Sequence, residues 1–233
     1  MKRVAIILFV IVSSLAVNAQ WRIGLTVGAT YNSYSRDNHY MSDWHYKGAW
    51  GKIASSSHYV PIGTIGVMGQ YDFNDWFGIR ADLNWTNKAN HQYRTMVSTD
   101  FETLNNYIQL PVMASFSFGN QKLRGFLNVG VYGGYWINSY YLGGQQFVTS
   151  GTTITGIIKN DFDEKRDQRF DYGLVGGIGI EWRFKFLKKN WAWQIVEARY
   201  YYSTKSIQKD YMRIQDPRYN TTLALQSGLC YYF

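Results

Sequence analysis

The chain has 233 residues, a length met by one domain, and carries 24 Lys and Arg against 16 Asp and Glu, a formal net charge of +8. Its basic residues are dispersed, which excludes the runs that grip nucleic-acid phosphates, and its single cysteine, Cys230, excludes an internal disulfide. Aromatics reach 18%, with 20 Tyr and 9 Trp, while Pro numbers only 3, a balance that suits long strands crossing membrane interfaces better than a soluble β-sandwich.

Residues 1–19 have the form of a secretory signal. Lys2 and Arg3 make the basic start, Val4 to Val17 the apolar stretch, and Val17-Asn18-Ala19 the small-residue site, which predicts cleavage after Ala19. Gln20 rather than Cys follows, so lipoprotein processing is not expected. The mature part then carries 22 basic against 16 acidic residues, +6, suited to anionic headgroups or glycans. No later apolar run is long enough for a transmembrane helix.

Period-2 alternation predicts eight strands in the mature chain. The first, Trp21–Tyr31, puts Ile23, Leu25, Val27 and Ala29 on one face. The second, Val60–Phe73, carries Ile65, Val67, Tyr71 and Phe73. In the third, Trp76–Thr86, Phe77, Ile79, Ala81, Leu83 and Trp85 oppose Gly78, Arg80, Asp82, Asn84 and Thr86. The fourth, Asn105–Phe118, sets Ile108, Leu110, Val112, Ala114, Phe116 and Phe118 against Gln109, Ser115 and Ser117, and Pro111 within it predicts a bulge. The fifth, Lys122–Ile137, sets Leu123, Leu127, Val129, Val131 and Tyr135 against Arg124, Asn128 and Gly130. The sixth, Arg169–Phe184, sets Tyr172, Leu174, Ile178, Ile180, Trp182 and Phe184 against Asp171, Glu181 and Arg183. The seventh, Trp191–Tyr202, turns Val196, Ala198 and Tyr200 outward with Glu197 and Arg199 inward.

The eighth strand, from Tyr219 to the end, alternates Leu223, Leu225, Leu229, Tyr231 and Phe233 with Thr222, Ala224, Gln226, Gly228, Cys230 and Tyr232. A terminal strand ending on Phe resembles the closing strand of bacterial outer-membrane barrels. By that likeness Leu229, Tyr231 and Phe233 are the residues met by the barrel-assembly machinery.

Connections alternate in length. Asn74-Asp75, Gly119–Gln121 and Lys185–Asn190 are short; Asn32–Tyr59, Asn87–Leu104, Asn138–Gln168 and Ser203–Arg218 are long and polar. Trp76, Phe118, Trp182, Phe184, Trp191 and Trp193 cluster at the short-turn end, and Trp85, Tyr135, Tyr172 and Tyr200 at the other, as two aromatic girdles. The expected fold is all-β: an eight-stranded antiparallel up-and-down transmembrane barrel, residues 20–233, with short periplasmic turns and long extracellular loops. Gln146–Thr155 extends strands five and six above the membrane or, as the alternative, adds a hairpin to make ten strands.

Several segments resemble the PorT-like outer-membrane β-barrel family. Phe170-Asp-Tyr-Gly-Leu-Val-Gly-Gly-Ile-Gly-Ile-Glu181 is similar to its Gly-rich sixth strand, Asn106–Val112 to its Pro-containing fourth, Glu197–Tyr200 to its seventh, and Ile23–Gly28 loosely to its first. The chain departs from the family pattern at Ala81-Asp-Leu and at Gly130-Val-Tyr-Gly, and lacks the Gly-Leu that follows the seventh strand's Tyr. The resemblance implies a Gram-negative outer-membrane barrel and a link to type IX protein secretion.

Inward parity collects Arg80, Asp82, Arg124, Asp171, Glu181, Arg183, Glu197 and Arg199, four charges of each sign in a lumen narrow enough for side chains to fill. They form either a charged plug, with Arg124 paired to Glu181, or an ion path. Gly173, Gly176, Gly177 and Gly179 sit inside a strand and leave room for bulky lumen side chains rather than cradling a phosphate. His39, His45, His58 and His91 fall in long loops. Neither Ser55-Ser56-Ser57-His58 nor Asp37, His39, Asp43 and His45 has the geometry of a catalytic pair or a metal site, so no cofactor or metal is expected. Tyr40, Trp44, Tyr46 and Trp50 in the first loop either bind glycan or protein or pack on themselves as a cap. The expected function is a non-catalytic barrel with a structural or protein-contact role in the envelope. The alternatives are a narrow porin-like channel and a surface hydrolase or acyltransferase.

Overall fold

The computed structural model describes residues 20–35, 41–46, 49–94, 99–120, 122–146, 153–162, 167–186, 189–207, 209 and 219–233. Ten strands follow in chain order: β1 (Gln20–Ser35), β2 (Met41–Tyr46), β3 (Ala49–Asp72), β4 (Phe77–Arg94), β5 (Thr99–Gly119), β6 (Leu123–Gln146), β7 (Thr153–Asn160), β8 (Phe170–Phe186), β9 (Lys189–Ser206) and β10 (Tyr219–Tyr232). Eight of them close a circuit, β1-β10-β9-β8-β6-β5-β4-β3, and β1 completes it by pairing with β3. All pairs are antiparallel. β2 pairs with β3 and β7 with β6 outside this circuit, so the cylinder has eight strands, not ten.

The expected boundaries hold at the short-turn end and fall short at the other. β3 to β6 run on well past Val60, Thr86, Asn105 and Ile137, so much of the first three expected long loops is strand. Asn90 to Arg94 pair with Thr99 to Thr103, for example, in polar sequence whose alternation is invisible to hydropathy. His45, His58 and His91 accordingly lie in β2, β3 and β4 rather than in loops, as do Ser55 to Ser57 in β3; Asp37 and His39 lie outside the described residues.

Burial is inverted relative to a water-soluble protein. Leu25, Leu83, Val131, Leu174, Ile178 and Leu225 are exposed, while Arg22, Arg80, Asp82, Lys88, Glu197 and Arg199 are buried. Only a wall facing lipid and a closed polar interior reconcile these two sets. At the short-turn end, rings form a continuous belt: Trp21 on Tyr71, Tyr71 on Phe73, Phe73 on Phe77, Phe77 on Phe116, with Trp191, Tyr231 and Phe233 linked across the closing strands. The Phe233 amide donates to the Trp21 carbonyl at 3.0 Å, tying the chain end to the start of β1.

The prolines act differently from expectation. Around Pro111 the β4–β5 ladder skips from Ala81–Val112 to Asn84–Gln109 without changing register, so the missing donor is absorbed by a gap, not a bulge. Pro61 instead marks an irregularity. β3 shifts by three residues against β4 between Ser57 and Thr64, and by two against β1 between Val60 and Thr64.

The bulge of greatest consequence is at Ile195-Val196 in β9. Glu197 pairs with Gln226 and Gln194 with Gly228, so Ile195 and Val196 together oppose Ser227, and the ladder to β8 shifts at the same place. Both side chains are exposed. The extra residue lets Trp191 and Trp193 face outward on odd numbers while Glu197 and Arg199 face inward, also on odd numbers. Deleting Val196 should therefore turn one set to the wrong side. The folded, heat-modifiable species on unboiled electrophoresis should fall sharply; a deletion variant with full folded yield would show that the bulge is dispensable.

Candidate functional site in the barrel interior

The interior side chains form three polar tiers separated by apolar layers. Nearest the short turns, Arg22 on β1 lies with Nε 2.6 Å from Asp72 Oδ2 and donates from its two terminal nitrogens to Asp72 Oδ1 and Glu181 Oε2, each at 2.8 Å. Arg183 Nε donates to Glu181 Oε1 at 2.8 Å, Gln70 donates to Asp72 at 2.7 Å, and the Tyr232 hydroxyl accepts from Arg22 at 3.1 Å. Both guanidiniums stack on the Tyr232 ring, at 5.1 and 4.9 Å from its centroid.

The middle tier is the most completely enclosed. Arg80 clasps Asp82 with Nε and a terminal nitrogen (2.8 and 3.0 Å), and its other terminal nitrogen reaches Gln194 at 2.9 Å and Glu197 at 3.2 Å. Arg199 holds Glu197 through Nε and a terminal nitrogen (3.0 and 2.8 Å) and donates to Asp82 at 2.7 Å and to the Tyr201 hydroxyl at 3.2 Å. Asn128 and Gln194 each add a bond to Glu197 at 2.9 Å. The four charged side chains are at most 2% exposed and sum to zero charge. Bidentate, charge-assisted bonds on every ion are what make such burial tolerable.

In the upper tier, Lys88 Nζ lies 2.6 Å from Asp171, over the Tyr107 and Tyr132 rings at 4.7 and 5.6 Å. Ser203 (2.6 Å) and the Tyr132 hydroxyl (3.2 Å) complete the Asp171 carboxylate. Between tiers lie Met68, Ala192, Cys230 and Tyr232 below, and Met113, Tyr132, Val175, Tyr201 and Ala224 above. The cavity beside Met68, Phe126 and Cys230 is about 10 Å³, room for roughly one water. Above the upper tier Trp136 stacks on Tyr107 and meets Phe162 edge-on, with the Arg169 guanidinium over Phe162 at 4.3 Å. This part of the mouth is capped from the β7–β8 connection.

Two interior glycines make the middle tier fit. A Cβ at Gly177 would come within 2.6 Å of a Glu197 carboxylate oxygen, and one at Gly179 within 2.4 Å of the Phe126 ring. The bulge does the rest, bringing Gln194 and Glu197 to one face three residues apart.

Of the eight charged residues expected in the lumen, Arg80, Asp82, Glu197 and Arg199 meet in one tier, Glu181 and Arg183 in another, and Asp171 stands in the third. Arg124 departs from expectation. It is opposite Glu181 in register, yet Glu181 is taken by Arg22 and Arg183, and Arg124 donates to the Asp75 carbonyl of the first short turn. Arg22, Asp72 and Lys88 were missed. Arg22 and Asp72 have inward parity on strands counted only for their apolar face, and Lys88 has the parity of Arg80 but lies two residues past the expected strand end. Leu229 and Phe233 point to lipid, and Tyr231 packs between Trp191 and Phe233. Trp44, Tyr46 and Trp50 fall on the β2–β3 hairpin, Trp44 opposite Gly51 and Tyr46 opposite Ala49; their side chains, and Tyr40 as a whole, lie outside the described residues.

A family model described as outer membrane protein beta-barrel domain matches residues 15–208. The chain belongs to that family. This outer-membrane barrel is similar in fold to OprG of Pseudomonas aeruginosa (12% identity, 94% of this chain and 98% of that one, TM-score 0.49). It is also similar to neisserial surface protein A (15%, 93% and 99%, 0.45) and to the outer membrane protease OmpT of Escherichia coli (13%, 94% and 97%, 0.39). No curated protein matches the sequence.

Replacing Arg199 by Met should leave two carboxylates facing one guanidinium in a dry tier, at a cost of about 3–5 kcal/mol. Guanidinium-induced unfolding from micelles measures this. A loss below about 1 kcal/mol would show that the tier does not clamp the barrel.

Proposed function

We propose that this barrel is a non-catalytic, non-conducting element of the outer membrane whose filled interior holds a rigid frame for contacts with other envelope proteins. The observation that carries this reading is the stack of three charge-neutralised tiers and two apolar layers, which leaves about 10 Å³ between the lower and middle tiers. A channel needs a continuous wetted path, and the middle tier crosses it with side chains bonded to one another.

The resemblance of Phe170–Glu181 and Glu197–Tyr200 to PorT-like barrels directs the partner search to the type IX secretion machinery. In this reading residues 1–19 are the export signal, cleaved after Ala19, and Leu229, Tyr231 and Phe233 are met by the barrel-assembly machinery during insertion. The strand extensions of β3 to β6 beyond the girdle supply the contact surface.

Purified protein in planar bilayers should stay silent at high load, and affinity capture from detergent-solubilised membranes should retain envelope or secretion proteins. Unitary current steps altered by Arg80→Ala would overturn the non-conducting reading. A capture free of partners, together with an unchanged secretome on gene deletion, would overturn the contact role.

A further inference from the structure

The lipid-facing wall carries a groove of about 420 Å³ across β9, β10, β1 and β3, lined by Leu25, Val27, Ile65, Trp193 and Leu229. Its floor is low because Ser227 stands where β10 otherwise presents leucines. The floor hydroxyl is not free for a polar ligand. Ser227 Oγ accepts from Trp193 Nε1 at 3.1 Å and donates to the Gln194 carbonyl at 2.9 Å, next to the β9 bulge. The groove thus offers hydrocarbon contacts alone, inside a band where the surrounding medium is lipid.

Its position along the wall adds charge. Leu229 and Trp193 are register partners, and Tyr231 and Trp191 form the next outward pair toward the short turns. Beyond these, Lys189 Nζ sits over the Tyr231 ring at 5.3 Å. From Lys189 to Trp193 is four residues, about 13 Å of strand. Cation, aromatic belt and apolar groove therefore succeed one another as the phosphate, glycerol and acyl parts of a lipid do.

We propose that the β9–β10–β1–β3 face binds an anionic glycerophospholipid of the periplasmic leaflet, with its phosphate at Lys189 and one acyl chain in the groove. The girdle at this end and the short turns put the site on the periplasmic side. A lysine held at headgroup level favours the charged lipid over a zwitterionic one.

The test uses the full mature barrel in phosphatidylcholine nanodiscs doped with phosphatidylglycerol that carries a diazirine in its acyl chain, with adducts mapped by mass spectrometry. Adducts should concentrate on Leu25, Val27, Trp193 and Leu229. Unlabelled phosphatidylglycerol should compete and phosphatidylcholine should not. Lys189→Gln should cut labelling about fivefold, and Val27→Trp, which fills the groove from an exposed position, should abolish it with the folded mobility on unboiled gels retained. Adducts spread evenly round the wall, equal competition by both lipids, or cross-links between two copies through these residues would each overturn the proposal.

Discussion

Inside hydrocarbon no water is available to an unpaired N–H or C=O, so every strand must give both edges to a neighbour. The pairing of β1 with both β10 and β3 meets that demand by abolishing the sheet edge. Much else in the molecule answers to this closure. It forces the large apolar residues outward into lipid. It encloses the inward set in a cylinder too narrow for bulk water. It also ties the last residue to the start of β1 through Phe233 and Trp21.

Closure leaves the interior polar, and the cost of charge there dictates its chemistry. Each ion must be met by opposite charge and hydrogen bonds from strands far apart in sequence. Arg80 and Arg199, from β4 and β9, share Asp82 and Glu197 across the lumen. Such bonds cross the barrel instead of running along the wall, so they brace it in the direction that the backbone ladder does not. The filled interior is the ground on which a contact role, rather than a conduit, is proposed.

The β9 bulge joins the two sides of the wall. By inserting one residue it keeps tryptophans in the girdle, aims Glu197 and Arg199 inward, and frees the Gln194 carbonyl that Ser227 then satisfies. The same small Ser227 lowers the outer surface into the lipid-facing groove. A local change in strand register thus shapes both the charged tier and the membrane contact.

The eight barrel strands, their facing and the identity of most lumen charges were legible in the sequence, because between bulges parity decides which side of a closed sheet a residue meets. Arg80, Asp82, Glu197 and Arg199 announced themselves as charged residues interleaved with apolar ones. Partnership was another matter. Arg124 stands opposite Glu181 in register, yet Arg22 from the far side of the barrel takes that carboxylate, since curvature brings distant strands within reach and register describes only neighbours. The bulge, the polar strand extensions and the tiered order of the interior also needed three dimensions, because each depends on how side chains from several strands fill one narrow space.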